Sequence, residues 1–436
     1  MQDEYANHVD NGAFTNSGVK VILGIAQVAA SIVGEIPPAR WKEVSEKMFI
    51  PYNTNASIIP EYGTMNGSVE IKQADVVLIN YPLEFRLNES QALNDLDFYS
   101  RAQSPDGPAM TWAMFAINAA DLSPAGCASY TYTLYASQPY LREPYYQFSE
   151  QINDNIYENG NTNPAFTFLT GHGGFLQVPT HGFTGYRPRL DAFYLDPSLP
   201  PQLDGIEIKG MKHQGSVFNV YVNTTSTTIT RMSPRKHGRR TNTPGPVTVR
   251  IGSRNAMAGD WQLSVGQTLV IPTRRPDLNG TDLPGNKAQC KPAESDMPWH
   301  PGQFPLAAVD GSNHTMWQPT TSGPSALTVD LQAPTVIKGV SFNWASTPPE
   351  AWTLLVGGNG PAPESWQQVF RSTNVDINDP WREEDALIVR MKTGNTTTQM
   401  FSDDVVTTSR WVRLVVEGTK GPHKDRGPTV AQFGIL

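Results

Sequence analysis

The hydrophobic period of the chain changes near residue 201, and that change rules out one uniform fold. Before it, apolar residues recur at i, i+3 and i+4 over Val19 to Val33, Pro38 to Met48, Ala92 to Ser100, Pro108 to Ala120 and Ala125 to Leu134. This spacing lays one face of a helix against a core. After it, "LDGIEIKGMKHQGSVFNVYVNTTSTTITRM", "GPVTVRIGSR" and "QLSVGQTLVIPTRRP" alternate apolar with polar residues and are rich in Val, Ile and Thr, as a half-buried strand requires. Residues 276–298 lose all periodicity and collect Pro, Gly, Asn and Lys, which reads as a linker. From Trp299 on, short runs such as "SALTVDLQ", "TVIKGVSFNW" and "SRWVRLVVEG" with turn residues between them fit a β-sandwich. The expected organisation is helical over 1–200, with paired helices and long polar loops that suggest a helical barrel. A small β-sheet module over 201–275, a linker over 276–298 and a β-sandwich over 299–436 follow.

Charge narrows the partners. Only 17% of the 436 residues are charged, below the ~25% of an average soluble chain, while Gly and Pro number 36 each, so the surface is loop-rich and polar without charge. The net charge of −8 is spread thinly and offers no basic face to a phosphate backbone, which excludes nucleic acid as a partner. The one basic run, Arg235 to Arg240, reads as an exposed loop between strands. Cys127, in an apolar helical pattern, reads as a buried free thiol and Cys290 as a linker residue, giving no disulfide framework. Seven N-x-S/T sequons, at Asn55, Asn66, Asn88, Asn223, Asn279, Asn313 and Asn395, favour a glycoprotein. The first residues are too polar for a signal peptide. The longest apolar run, from Val19, carries Lys20 and Gln27 and is shorter than the ~20 residues a bilayer requires, so it reads as a core helix and no membrane span is expected.

The densest group of polar side chains stands at the front. "MQDEYANHVDNGAFTN" places Asp3, Glu4, His8, Asp10 and Asn11 where chains usually fray. As residues alone they are either a solvated loop or a site. The string "DEYANHVDNGAFTN" resembles the catalytic segment of the family 65 glycoside hydrolases, in particular their fungal acid trehalase branch. "IKQADVVL", "SPDGPAMTWAMFAI", "PYYQFSEQ", "NPAFTFLTGHGGFLQ" and "HGFTGYRPRLDAFYLDPSLPPQLDGIEIKG" follow in the family's order. The resemblance covers residues 3 to about 230. It implies a partial, C-terminal half of an all-α (α/α)6-type barrel, Glu4 as general acid, and Lys72 and Gln73 as sugar contacts. Tyr5 becomes a wall of the site, with His8, Asp10 and Asn11 touching sugar hydroxyls or lying just behind. An inverting hydrolase also needs an ionised carboxylate ~6.5–9.5 Å from the acid. Two residues qualify: Glu150 in "FSEQ", preferred because a helix gives way there to a long loop, and Asp106 in "SPDGP", which also suits a turn.

Among the aromatic residues that could cover a pyranose face, Trp112, Phe166, Phe168 and Phe175, Trp112 is the choice. No cluster in this half has metal-ligand spacing, so metal and cofactor are both expected to be none. Thr and Trp or Phe stand where a phosphate site would need Ser and His, which favours hydrolysis over phosphorolysis. In the tail, "AAVDGSNHTMWQP" and "SRWVRLVVEG" resemble the discoidin, or factor 5/8 type C, sandwich through Asp310, Gly311, Thr315 and Trp317. Such domains bind carbohydrate through loops at one end, and some hold calcium.

The resemblance thus implies an extracellular, cell-wall or vacuolar hydrolase that converts α,α-trehalose to glucose, with a cell-wall or glycan ligand on the tail. The alternatives are a catalytically silent carbohydrate-binding glycoprotein and a related disaccharide hydrolase or phosphorylase. Because the resemblance starts at the catalytic loop, the front of the enzyme is expected to be missing, and apolar helix faces to stand uncovered.

Overall fold

A computed structural model describes residues 4–436 apart from 68, 74, 86–87, 105–106, 123–126, 234–244, 277–282, 359, 361–364, 376–394 and 422–425. Asp106, Asn279 and the basic run from Arg235 to Arg240 lie outside the described residues. The chain forms three units in order: helical, small two-sheet, and larger two-sheet.

The helical unit contains α1 (Ala13–Ile32), α2 (Ala39–Lys47), α3 (Val77–Asn80), α4 (Glu89–Ala102), α5 (Thr111–Asp121), α6 (Ala128–Tyr135) and α7 (Leu169–Gln177), which runs on as a π-helical turn over Val178–Phe183. A short hairpin, β1 (Leu141–Arg142) and β2 (Gln147–Phe148), interrupts it. α5 is the central element. Its Ala- and Phe-rich sequence buries nine of eleven residues, and it packs on α3, α4, α6 and α7. α1 is the opposite case. Only Ala13 and Ser17 are buried, while Ile22, Ile25, Val28 and Ile32 are each more than half exposed, so the core helix expected from this apolar run is a mostly solvated one. Over its length and composition it could cross a bilayer. It packs on α2 and α3 only along one side, and the described helices form an open stack rather than a closed ring. Among the described residues, strands outnumber helices.

In the small unit, β3 (Phe193–Leu195), β7 (Val247–Ile251) and β8 (Gly259–Leu263) face a four-stranded sheet of β4 (Gly205–His213), β5 (Ser216–Asn223), β6 (Ser226–Arg231) and β9 (Thr268–Pro272). The alternation read from the sequence puts Phe218, Val220, Val222 and Ile229 in one shared core with Phe193 and Leu195. In the third unit, β10 (Ala293–Ser295), β11 (Ser325–Ile337), β16 (Thr407–Glu417), β13 (Ala351–Val356) and β14 (Gln367–Ser372) pack against β15 (Thr396–Met400), β12 (Gly339–Asn343) and β17 (Gln432–Ile435). Trp317, Trp344 and Trp352 fill the space between the two sheets, each at most 1% exposed. β3 and β10 therefore join their sheets from segments read as helical unit and as linker.

The cysteine reading is corrected. Cys127 is buried as expected, but it is not free: it forms a disulfide with Cys290, the Cα atoms 5.9 Å apart. Sequence distance hid the pair, because the fold brings the start of α6 against the segment before β10. Cys127 N donates to Asp310 O at 2.7 Å and Cys290 N to Val309 O at 2.6 Å, so the bridge sits in a backbone-bonded seam between helical unit and sandwich. The Asp310 carboxylate, fully buried, completes it by accepting from Thr131 Oγ1 (2.6 Å), Thr315 Oγ1 (2.7 Å) and Ser312 N (2.9 Å).

Candidate active site

Three loops converge on one ammonium. The first is residues 4–12, which turns through left-handed backbone at His8 (φ 53°) and Asn11 (φ 57°). It is tied down where Gly63 N donates to Asp10 O (3.0 Å) and Ala13 N to Glu61 O (2.9 Å). The second carries Lys72, placed by a two-bond bridge in which Ile71 N donates to Ala102 O and Ser104 N to Ile71 O, both at 2.8 Å. The third carries Glu150, whose backbone is fixed by Glu150 N to Ala165 O (3.0 Å) and Ala109 N to Glu150 O (2.8 Å).

Lys72 Nζ lies 2.6 Å from Glu4 Oε2 and 3.9 Å from Glu150 Oε1. The two carboxylate oxygens are therefore at most about 6.5 Å apart, a bound that meets the ~6.5–9.5 Å of inverting glycosidases only at its limit and also includes the ~5–5.5 Å of retaining ones. Burial alone would lower the Lys72 pKa. The hydrogen bond and charge of Glu4, with the charge of Glu150, outweigh it, and the net shift is upward. The ammonium stays charged and holds two like charges near each other. Glu150 Oε2 is occupied, accepting from Ala165 N at 2.9 Å, which leaves Oε1 to face Lys72. Glu4, with 54% of its side chain exposed, is the more accessible acid.

Gln73 opens a cavity of about 260 Å³ beside this cluster, lined also by Asp75, Met110, Thr111, Thr170 and Gln177. Gln177 Oε1 accepts from Tyr81 Oη at 2.7 Å, which fixes one wall. Tyr5 is half exposed. His8, Asp10 and Asn11 are exposed, and the fixed contact of Asp10 is its carbonyl. Trp112 does not join the cluster. It is 5% exposed and stacks on Tyr135 at 4.1 Å, so packing between helices claims it. Phe166, 60% exposed, follows Ala165, whose amide holds Glu150 Oε2, and so presents an aromatic surface near that carboxylate. Sequence reasoning missed the Ala165 amide because a backbone donor leaves no side-chain signature. It also missed Gln177, although the string ending in it was singled out. Among the described residues no His, Cys, Asp and Glu group could hold a metal ion.

Of the sequons, Asn55 and Asn88 are exposed, and Asn66, Asn223 and Asn313 half-buried. Asn88 also caps α4, its side chain accepting from Gln91 N at 2.8 Å. Asn395 is 1% exposed and its Nδ2 donates to Ala345 O at 2.7 Å, so the folded chain has no room for a glycan there.

Residues 186–236 match the family described as "Glycosyl hydrolase family 65, C-terminal domain" and residues 291–426 the "F5/8 type C domain". The chain is 36% identical to the "Cell wall acid trehalase" of Arthroderma benhamiae, over 100% of this chain and 44% of that protein. It is 35% identical to the "Acid trehalase" of Emericella nidulans, over 100% of this chain and 43% of that protein. With the "Protein-glucosylgalactosylhydroxylysine glucosidase" of Danio rerio the identity is 30%, over 68% of this chain and 41% of the relative. The chain thus spans less than half the length of these curated relatives. Along its whole length it is a relative of the acid trehalases, and it carries the C-terminal domain of glycosyl hydrolase family 65 followed by an F5/8 type C domain.

Proposed function

We propose that the chain carries the catalytic carboxylates of an inverting glycoside hydrolase that cleaves α,α-trehalose to glucose, with Glu4 as general acid and Glu150 as base. The observation that carries this reading is the meeting of Glu4, Lys72 and Glu150, which sequence places far apart. In this mechanism Glu4 gives its proton to the glycosidic oxygen while Glu150 Oε1, its other oxygen held by the Ala165 amide, takes one from the attacking water. Sugar hydroxyls entering between the carboxylates replace Glu4 as the partner of Lys72, and this frees Glu4 to be protonated. Gln73 reads the sugar from the cavity side. The open helical stack is the C-terminal part of a barrel whose remaining helices cover the apolar face of α1. The F5/8 type C domain takes a glycan ligand. The names of the fungal relatives, together with a disulfide, support an extracellular or cell-wall location.

The test is trehalose hydrolysis at mildly acidic pH, with and without phosphate, followed by NMR of the glucose anomers. One α- and one β-glucose without phosphate are expected. Glu4→Gln and Glu150→Gln should each cost at least a hundredfold in kcat, and a loss under tenfold for Glu4→Gln would sink the assignment.

A further inference from the structure

A second cavity, of about 230 Å³, lies in the seam between the helical unit and the sandwich. The end of α4 contributes Ser100, Arg101 and Gln103, and the sandwich contributes Gln303, His314 and Ser346. The seam around it is tightly paired, with the Cys127–Cys290 bridge and the three donors on Asp310. His314 is one of several buried polar side chains there without a hydrogen bond, beside Asn313 Oδ1 and Trp317 Nε1. Its side chain is 8% exposed, yet Nε2 has no hydrogen-bond partner and Nδ1 stands 3.4 Å from Asp97 Oδ1 without forming a hydrogen bond. Gln303 Oε1, on the same wall, is also buried and unpaired. Buried polar atoms are nearly always satisfied, because leaving one unpaired costs ~1–3 kcal/mol. Two on one cavity wall point to an occupant.

The lining selects its chemistry. The charges of Arg101 and Asp97 offset each other beside the cavity, so no net charge calls for an anion or cation. Imidazole and carboxamide together offer both donors and acceptors. The remaining wall is apolar ring, where Tyr135 is held between Trp112 and the backbone of Gly302, a position at φ 79° that would admit no Cβ. A water's share of liquid volume is ~30 Å³, so the space takes one molecule of pyranose size. Ser346, exposed at the rim, marks the mouth. We propose that this inter-unit cavity is a binding site for an uncharged polyhydroxylated molecule of monosaccharide size, read by His314 and Gln303 and separate from the Glu4, Lys72 and Glu150 cluster. Gln103 forms the dividing wall, bridged by backbone to Ile71 next to Lys72.

The probe is D-glucose, titrated calorimetrically into the full chain bearing Glu4→Gln and Lys72→Ala, so that the catalytic cluster no longer contributes. Saturable one-site binding is expected to remain. Adding Gln303→Leu should weaken it at least tenfold. Adding Ser346→Trp, an exposed substitution that leaves the seam intact, should block it to the same degree. An absence of saturable glucose binding in the disabled chain would overturn the proposal, as would binding that neither added substitution changes. Neither result bears on whether Glu4 and Glu150 perform hydrolysis.

Discussion

The helical unit is joined to its two neighbours by opposite physical means. Toward the small β unit the junction is ionic. Arg254 reaches Asp121 of α5 and, at 3.0 Å, Asp196, while Arg187 stacks on Tyr81 at 4.6 Å and approaches Asp121 at 3.9 Å. Arg189 pairs with Glu84 in the same cluster. Toward the sandwich the junction is covalent, with the disulfide, backbone bonds and a buried carboxylate hydrogen-bonded only by neutral donors, while Asp97, offset by Arg101 and 3.4 Å from His314, adds charge at its edge. Burial pushes the Asp310 pKa up to about 7, although Thr131, Ser312 and Thr315 pull it down. Burial acts on Asp121 in the same direction, yet Arg254 and Arg187 outweigh it and hold that carboxyl below its usual value. Two acids on one scaffold thus respond oppositely to pH, because one, a quarter exposed, has cations beside it and the other, fully buried, has hydroxyls.

The largest expected effect on this contrast comes from the covalent seam. The bridge closes a loop of 163 residues, worth ~5 kcal/mol in the chain-entropy view. Cys127→Ser or reduction should lower the midpoint of thermal unfolding on the order of 10 °C. An unchanged midpoint would mean that the sandwich unfolds independently of the helices. Next is Arg254→Met, which removes the cation Asp121 and Asp196 share but leaves Arg187 at 3.9 Å from Asp121 and Arg274 at 3.5 Å from Asp196; it should cost about 2–3 kcal/mol, read by chemical denaturation at pH 7. If the loss is no larger than that of an exposed ion pair, the junction is held by packing instead.

The pH response has a definite sign. Asp310 binds its proton more tightly folded than unfolded. Its contribution is therefore complete below the ordinary carboxylate pKa near 4 and is lost as pH climbs to about 7, by at most ~1.4 kcal/mol per unit. Asp121 does the reverse: its contribution is present above ~4 and lost as pH falls through and below that value. Stability measured from pH 4 to 7 should flatten in Asp310→Asn, and a slope identical to that of the unaltered chain would remove Asp310 from the account. The smallest effect is that of Thr131→Val, which deletes one hydroxyl donor to Asp310 and should cost about 1 kcal/mol at pH 5.

Much of this was legible in the sequence, and the failures have physical reasons. The helices from Ala92 to Tyr135 and the strands from Gly205 to Ile271 follow from periodicity, because each buries one face locally. Glu4, Lys72 and Glu150 were named from motif strings, and the fold puts them on one ammonium. Trp112 was misplaced because an aromatic side chain in a helix does not announce which face it takes, and stacking on Tyr135 claims it. The exposed state of α1 was read as burial since an apolar sequence records what a helix packs against, present or not. The disulfide and the Asp310 seam were invisible because both depend on contacts between units that no local pattern encodes.

The loop closed by Cys127 and Cys290 encloses α7 and every strand of the small β unit. A single backbone cut anywhere between these two cysteines would leave both fragments on one covalent frame. For a protein exposed to proteases outside a cell, a nick would show as two bands only after reduction. The loops of Glu4 and Lys72, before residue 127, and the sandwich would stay tethered through the damage.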